Sequence, residues 1–429
     1  MQTLHHILAG RRVAVIGAGP IGLEAALYAA TLGASVRVYE RGTIAASVGD
    51  WGHIPLFTAF GLNHTVLGRR TLEAAGRSLP DDDASLTGEQ WRAAYLLPLA
   101  VTPPLEGSIL EGSPLVTVGR GELLKGDHIG DGGRSSQPFR LLVRSPAGER
   151  YDEADVVLDC SGTYMNPNWL GLGGVPALGE AAARPHIDYH PIDVAGTERG
   201  RFVGRRVLLV GGGYSAATTA VALAGLALED ARTEVLWVTR VPREVPITPI
   251  EADALPRRAE LAAAANLLAS DPAGQLTWLA GGGITAIEWL PDADAFEVDL
   301  QTAAATKRVT VDRVIANVGY EPDDALYRGL QIHECYASRG PMKLAAALLS
   351  ATAAAGGDCM KVGGLGPEAL ANPEPDFFIL GAKSYGRNSL FLLGNGHEQV
   401  RDVFRLITGD RELDLYAAAG EALLAYPDG

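Results

Sequence analysis

The apolar positions of this chain cluster in two stretches, each an apolar run, a glycine turn, an alanine-rich helix and a second run. In the first, Val13-Ala14-Val15-Ile16 is unbroken by polar residues, as a strand buried on both faces of a parallel sheet requires. Gly17, Gly19 and Gly22 follow at G-x-G-x-x-G spacing, with Pro20 among them, and a helix follows the turn. The alternating segment Ser35-Val36-Arg37-Val38-Tyr39 then ends in Glu40 and Arg41. Residues 207–227 repeat the pattern: Val207–Val210 are apolar, Gly211, Gly213 and Ala216 stand at G-x-G-x-x-A spacing, and Tyr214 and Ser215 open the helix. The following strand, Thr233–Val238, ends in Thr239 and Arg240.

That spacing suits a dinucleotide for separable reasons. Gly17 allows the tight turn, Gly19 lets the backbone approach a pyrophosphate, and Gly22 lets helix and strand pack closely. The N–H groups that open the helix then face the phosphates. A carboxylate at Glu40 can accept both hydroxyls of an adenosine ribose and would repel a 2′-phosphate. The second unit has no acid in that place. Arg240 stands there instead, a cation where a 2′-phosphate would lie, so NADPH is expected over NADH.

The remaining pattern fills in the units. Residues 47–65 read as a loop with Trp51, His53, Phe57, Phe60, Asn63 and His64, a mixture that either flanks a flat ring system or packs the loop itself. Residues 66–95 read as helical with a polar break at 80–83, 115–124 as a strand and turn, and 139–162 as a hairpin leading into a buried strand. That strand ends at Cys160-Ser161-Gly162. Cys160 reads as a small packing residue, since apolar neighbours raise a thiol's pKa. A proline-marked loop and helix over 243–272 precede strands over 275–290, 295–303 and 307–319, the last ending in Gly319. The segments ending at Gly162 and Gly319 resemble each other, and one returns to each nucleotide unit. Near the end, Phe377–Leu380 read as a buried strand closed by Gly381, with Lys383 and Arg387 on the next loop. A helix is expected over His397–Ile407, with His397 and Glu398 in its first turn.

The expected fold is therefore α/β, with two Rossmann-like dinucleotide-binding domains, the second inserted into the first. The expected boundaries are 1–190 and 326–429 for the first domain and 191–325 for the insert. Composition agrees with a globular enzyme: of 429 residues, 47% are hydrophobic and 20% charged. The net charge of -15 argues against a nucleic-acid partner or an anionic membrane surface, either of which needs a basic patch. Cys160, Cys335 and Cys359 form neither a C-x-x-C nor a metal-ligand cluster, so no metal is expected and a reducing, cytoplasmic setting is. The arginines at 11 and 12 follow a very short apolar run, unlike a secretory signal.

With these residues placed, the chain resembles the two-dinucleotide-fold flavoproteins, which include thioredoxin and glutathione reductases and the class B flavin monooxygenases. Gly17, Gly19, Gly22 and Glu40 match that superfamily's FAD fingerprint, and Gly211, Gly213, Ala216 and Arg240 its NADPH fingerprint. The strands ending at Gly162 and Gly319 look like its linking segments, and Phe377–Gly381 like its final flavin strand. The resemblance implies FAD and NADPH as cofactors and a small-molecule substrate, with a homodimer an open option. Asn63, His53 and His397 would be the groups hydrogen-bonding near the flavin. Residues 51–63 and 381–393 also look like segments of bacterial flavoproteins, some associated with metalloid-resistance gene sets.

Two departures bear on the reaction. The close cysteine pair of the disulfide reductases is missing. The phenylalanine, glycine and histidine motif of the monooxygenases is only partly matched, by His186 with Tyr189. The leading expectation is a monooxygenase that inserts oxygen into a soft nucleophile (sulfur, nitrogen or a metalloid) through a flavin C4a-hydroperoxide. A reductase of a quinone, small disulfide or protein partner, and a redox sensor without turnover, are the alternatives.

Overall fold

A computed structural model describes residues 6–271, 274, 276–354 and 365–419. In chain order the strands are β1 Arg12–Ile16, β2 Ser35–Tyr39, β3 Ile109–Leu110, β4 Leu115–Arg120, β5 Phe139–Ser145, β6 Gly148–Ala154 and β7 Val156–Asp159. Then come β8 Arg206–Val210, β9 Glu234–Thr239, β10 Leu276–Ala280, β11 Gly283–Leu290, β12 Ala295–Gln301, β13 Thr306–Val311, β14 Arg313–Ala316 and β15 Phe377–Ile379. The longer helices are α1 Pro20–Thr31, α2 Val66–Ala74, α3 Tyr214–Glu229, α4 Pro256–Ser270, α5 Met342–Ala354 and α6 Leu393–Thr408.

The chain divides into two compact units, Met1–Asn166 with Glu321–Gly429, and Pro167–Tyr320. The first holds a parallel sheet ordered β15-β7-β1-β2-β3 and an antiparallel sheet β4-β5-β6. The second holds a parallel sheet ordered β10-β9-β8-β14 and an antiparallel sheet β11-β12-β13. Each unit thus runs strand, helix, strand, then through an antiparallel sheet to a strand that returns beside its first, and in the first unit β15 adds to the outer side of that returning strand. The α/β class and the insertion of one nucleotide fold into another are both present.

The repeat extends to a clamp. Arg12 opens β1; its backbone N–H donates to Asp155 Oδ2 at 2.8 Å and its guanidinium to Asp155 Oδ1 at 2.7 Å. Arg206 opens β8 and does the same to Asp312, at 2.8 and 2.6 Å. Each aspartate sits one residue before the returning strand, so the clamp sets the register in which that strand joins the first.

Helix α1 is buried from Ile21 to Ala29, all round its circumference. Apart from Glu24 the buried side chains of α1 are apolar, so the helix belongs in a core rather than on a surface, and α6 covers it. Tyr28 stacks on Phe404 of α6 at 4.9 Å between ring centroids, and its hydroxyl accepts from the Leu415 N–H at 2.9 Å. A Cβ on Gly396 of α6 would stand 2.4 Å from Ile21 Cδ1, so glycine there lets the two helices approach.

Several expectations need correction. The first unit breaks at 166 rather than 190, because residues 167–190 add themselves to the second unit's strands. Leu178 N–H donates to Thr285 O, Ile287 N–H to Leu178 O, and Ala316 N–H to Asp188 O. The last helix starts at Leu393 and not at His397, which places His397 and Glu398 in its second turn. Asn395 Oδ1 accepts from the Leu392 N–H at 3.2 Å and caps the earlier start. The stretches expected as single strands over 275–290 and 307–319 are each two strands of different sheets, and the helical stretch over 66–95 is interrupted over 75–87; the hairpin over 139–154 and the strand over 295–301 lie where expected.

Candidate functional site

In the first unit the three glycines of the turn behave differently. Gly17 has φ +93°, and a Cβ there would lie 2.9 Å from Cys160 O; at Gly22 it would lie 1.9 Å from Gly17 O. Both are excluded by the protein's own backbone. At Gly19 a Cβ would meet nothing within 4 Å, and φ is an ordinary -79°. The fold itself does not need glycine at 19, so the open ground before α1 is available to a ligand. Glu40 is fixed beside it: Oε2 accepts from Ala18 N–H at 2.7 Å and Oε1 from Gly42 N–H at 2.8 Å. Each carboxylate oxygen keeps a further lone pair. Arg41 is exposed next to it.

At the carboxyl ends of β7 and β15 lies a buried ion pair. Lys383 Nζ donates to Asp159 Oδ2 at 2.7 Å and to Ser161 Oγ at 3.0 Å, and Ser161 Oγ donates to Asp159 Oδ1 at 2.6 Å. Lys383 and Asp159 are 2% and 0% exposed. The lysine, expected on a loop, is instead inside the short helical turn Gly381–Tyr385. Gly162 at φ +68° and Gly381 at φ +70° turn the chain on either side of this group.

The second unit repeats the turn. Gly211 has φ +143°, and a Cβ on it would lie 2.1 Å from Asn317 O. Gly213 has nothing within 4 Å of a Cβ, as at Gly19. Tyr214 is half-buried, Ser215 exposed and Ala216 buried at the start of α3. Trp237 Nε1–H donates to Gly211 O at 2.8 Å and pins the turn. Thr239 is buried, with Oγ1 accepting from Trp278 Nε1–H at 3.0 Å, so it braces the strand end. Arg240 and, three residues on, Arg243 are exposed; among the described residues neither forms an ion pair. Asn317 follows β14 beside Gly211, with Gly319 at φ +80° beyond it.

The residues expected near a ring system differ in burial and in hydrogen bonding. Asn63 is 2% exposed and serves its own loop: Nδ2 donates to Thr58 O and Ala59 O at 3.2 and 2.8 Å, and Oδ1 accepts from Thr58 Oγ1 at 2.8 Å. Both its donors are used there. His53 is exposed. Burial pushes the His397 imidazole down to about 3, so it is neutral across the physiological range. His186 stacks on Trp289 at 4.3 Å and 11°, a packing contact within the second unit.

Burial holds the Cys160 thiol well above its ordinary pKa, while backbone N–H groups and the hydroxyl of Ser338 pull that of half-exposed Cys335 down. Cys359 lies outside the described residues. Among the described residues no group of three or more His, Cys, Asp or Glu could hold a metal, and no helix is long and apolar enough to cross a membrane.

Four residues of these sites escaped the sequence reading in this role: Asp159, Lys383, Arg243 and Asn317. Asn317 carries a signal in retrospect, a lone carboxamide in the run Val314-Ile315-Ala316-Asn317-Val318.

The family model described as pyridine nucleotide-disulphide oxidoreductase matches residues 12–46, the first glycine turn and its flanking strands. No curated protein sequence matches the chain. Solved structures do. The bacillithiol disulfide reductase Bdr (YpdA) of Bacillus cereus is 16% identical, with a TM-score of 0.65 over 93% of this chain and 99% of that one. The cadaverine monooxygenase DfoA of Erwinia amylovora, solved with FAD bound, is 13% identical, with a TM-score of 0.62 over 97% and 98%. The thioredoxin reductase of T. acidophilum is 15% identical, with a TM-score of 0.56 over 92% and 99%. The chain has the two-dinucleotide-domain fold that these flavoprotein reductases and monooxygenases share.

Proposed function

We propose that the protein is an FAD-dependent oxidoreductase that takes its electrons from NADPH. The observation that carries this is the pair of glycine turns. In each unit the chain's own backbone forbids a side chain at the first glycine, while the second, Gly19 or Gly213, faces open space at the start of a helix, where a pyrophosphate would lie. The strand ends then assign the ligands. Glu40 has lone pairs left for ribose hydroxyls and fits FAD. Arg240 and Arg243 offer exposed guanidinium groups to a 2′-phosphate, which carries two negative charges that NADH lacks. The N–H groups opening α1 and α3 would hold the pyrophosphates. Bound FAD would supply the redox chemistry, and the protein's part is to hold, orient and shield it.

Within that class we favour a monooxygenase acting on a small molecule with a soft sulfur, nitrogen or metalloid centre. The cysteine beside the first turn, Cys160, is buried and kept as a thiol, which suits chemistry carried by the flavin without a thiolate relay. One observation favours a disulfide or quinone reductase: Cys335 is half-exposed with its thiol pKa lowered.

Stopped-flow absorbance separates the two. The FAD-loaded protein is reduced anaerobically with NADPH and mixed with oxygenated buffer. A transient band distinct from both reduced and oxidised flavin is expected; direct reoxidation would move the assignment to the reductase. Failure of NADPH to bleach the flavin would refute turnover altogether and leave a sensor.

A further inference from the structure

We infer that Asn317 holds the nicotinamide half of the dinucleotide in the second unit, through a ribose hydroxyl; the inference rests on the reading of that unit as the NADPH domain. The sheet order β10-β9-β8-β14 puts β9 on one side of β8 and β14 on the other. The glycine turn after β8 is thus at the point where the strand order reverses, and ligands of such sheets lie across that point, outside the strands' carboxyl ends. Arg240 ends β9, on the adenosine side. A dinucleotide with its 2′-phosphate at Arg240 and its pyrophosphate at Gly213 must continue towards the end of β14, where Asn317 stands.

Asn317 is 7% exposed. Its Oδ1 lies 2.9 Å from Thr219 Oγ1 in the second turn of α3, and its Nδ2 has no partner among the described residues. A buried amide is normally paired, because a donor withdrawn from water without a partner destabilises the fold. Val314, Ile315, Ala316 and Val318 show that this strand end accommodates apolar residues. Thr219 Oγ1 is also 3.1 Å from Ser215 O, and a hydroxyl has one proton, so Thr219 serves only one end of the carboxamide whichever way it is turned. The other end is left for a ligand. A ribose hydroxyl, which both donates and accepts, satisfies it in either orientation. The backbone fixes the position: Asn317 O packs against Gly211 so closely that no Cβ fits between them.

The test is titration calorimetry on the full-length, FAD-loaded protein with NADP+ and with 2′,5′-ADP, which has the adenosine half alone. Asn317→Ala should weaken NADP+ about tenfold, as loss of one hydrogen bond does, and leave 2′,5′-ADP unchanged. Thr219→Val, close to isosteric, should weaken NADP+ in the same selective way by a smaller factor, and it serves if Asn317→Ala does not fold. Equal loss for both ligands would make Asn317 a scaffold residue and overturn the inference, as would no loss for either. A wild-type protein that binds neither ligand would overturn the NADPH reading, and this inference with it.

Discussion

Replacing Glu24 by glutamine should stabilise the first unit at pH 8 and change it little at pH 5. Glu24 lies in the middle of α1, 1% exposed. Its neighbours are the hydroxyls of Thr65, donating at 3.0 Å, and Tyr416, and among the described residues no cation compensates it. Burial lifts its carboxyl from the ordinary 4.5 to about 7. The folded state therefore holds this proton more tightly than the unfolded state. Stability from the protonated group is fully present below 4.5, falls as pH rises towards 7, and is lost above it. That interval corresponds to about 3 kcal/mol, at 1.36 kcal/mol for each tenfold change in proton affinity. Glutamine keeps an acceptor for Thr65 and never ionises. Urea unfolding of both proteins at pH 5, 6, 7 and 8 isolates the effect, because every other titrating group is common to the two. The curves should converge at pH 5 and separate by about 3 kcal/mol at pH 8. A Glu24→Gln protein that tracks the wild type at every pH would refute the assignment of a proton to this site.

Other changes probe the sites. Gly19→Val should fold as the wild type, since nothing lies within 4 Å of its Cβ, yet purify without flavin absorbance; Gly22→Val, whose Cβ would stand 1.9 Å from Gly17 O, should lower the melting temperature as well. Arg240→Ala combined with Arg243→Ala should raise the KM for NADPH by roughly 10- to 100-fold while leaving that for NADH near its wild-type value; equal effects on both would remove the phosphate role. Lys383→Met should cost roughly 3–5 kcal/mol in chemical denaturation, because Asp159 would be left charged and unpaired in the interior. Adding Asp159→Leu should recover most of that loss, and a double change as unstable as the single one would show that packing, not charge, is at stake.

What could be read from the sequence was what short-range pattern carries. Apolar runs ending in glycine gave the strands and turns of both units, and Glu40 against Arg240 distinguished their ends. The start of α6 was hidden by Gly394 and Gly396, which lower helix propensity; at Gly396 the fold needs close packing against Ile21. Residues 167–190 have no periodicity, since they join the second unit by single bridges and not as a strand. Asn63 and Asn317 are the same residue type in polar-looking and apolar-looking contexts. Only their hydrogen bonds show that the first is satisfied by its own loop and the second is not. The pairing of Lys383 with Asp159 spans 224 positions, a distance over which no local spacing rule operates.

The discontinuity of the first unit also sets an order in time. Every strand of the second unit's sheets lies between residues 167 and 320, so that unit can close as soon as it leaves the ribosome. The first unit cannot, for β15 pairs with β7 only after Phe377 has been made. At typical synthesis rates of about 5–20 residues per second, the open edge of β7 waits roughly ten to forty seconds for its neighbour. During that interval Val156–Leu158, wholly apolar, form a bare strand edge ready to pair with another chain. Conditions that slow translation through residues 320–380 should therefore lower the yield of soluble protein before they touch its activity.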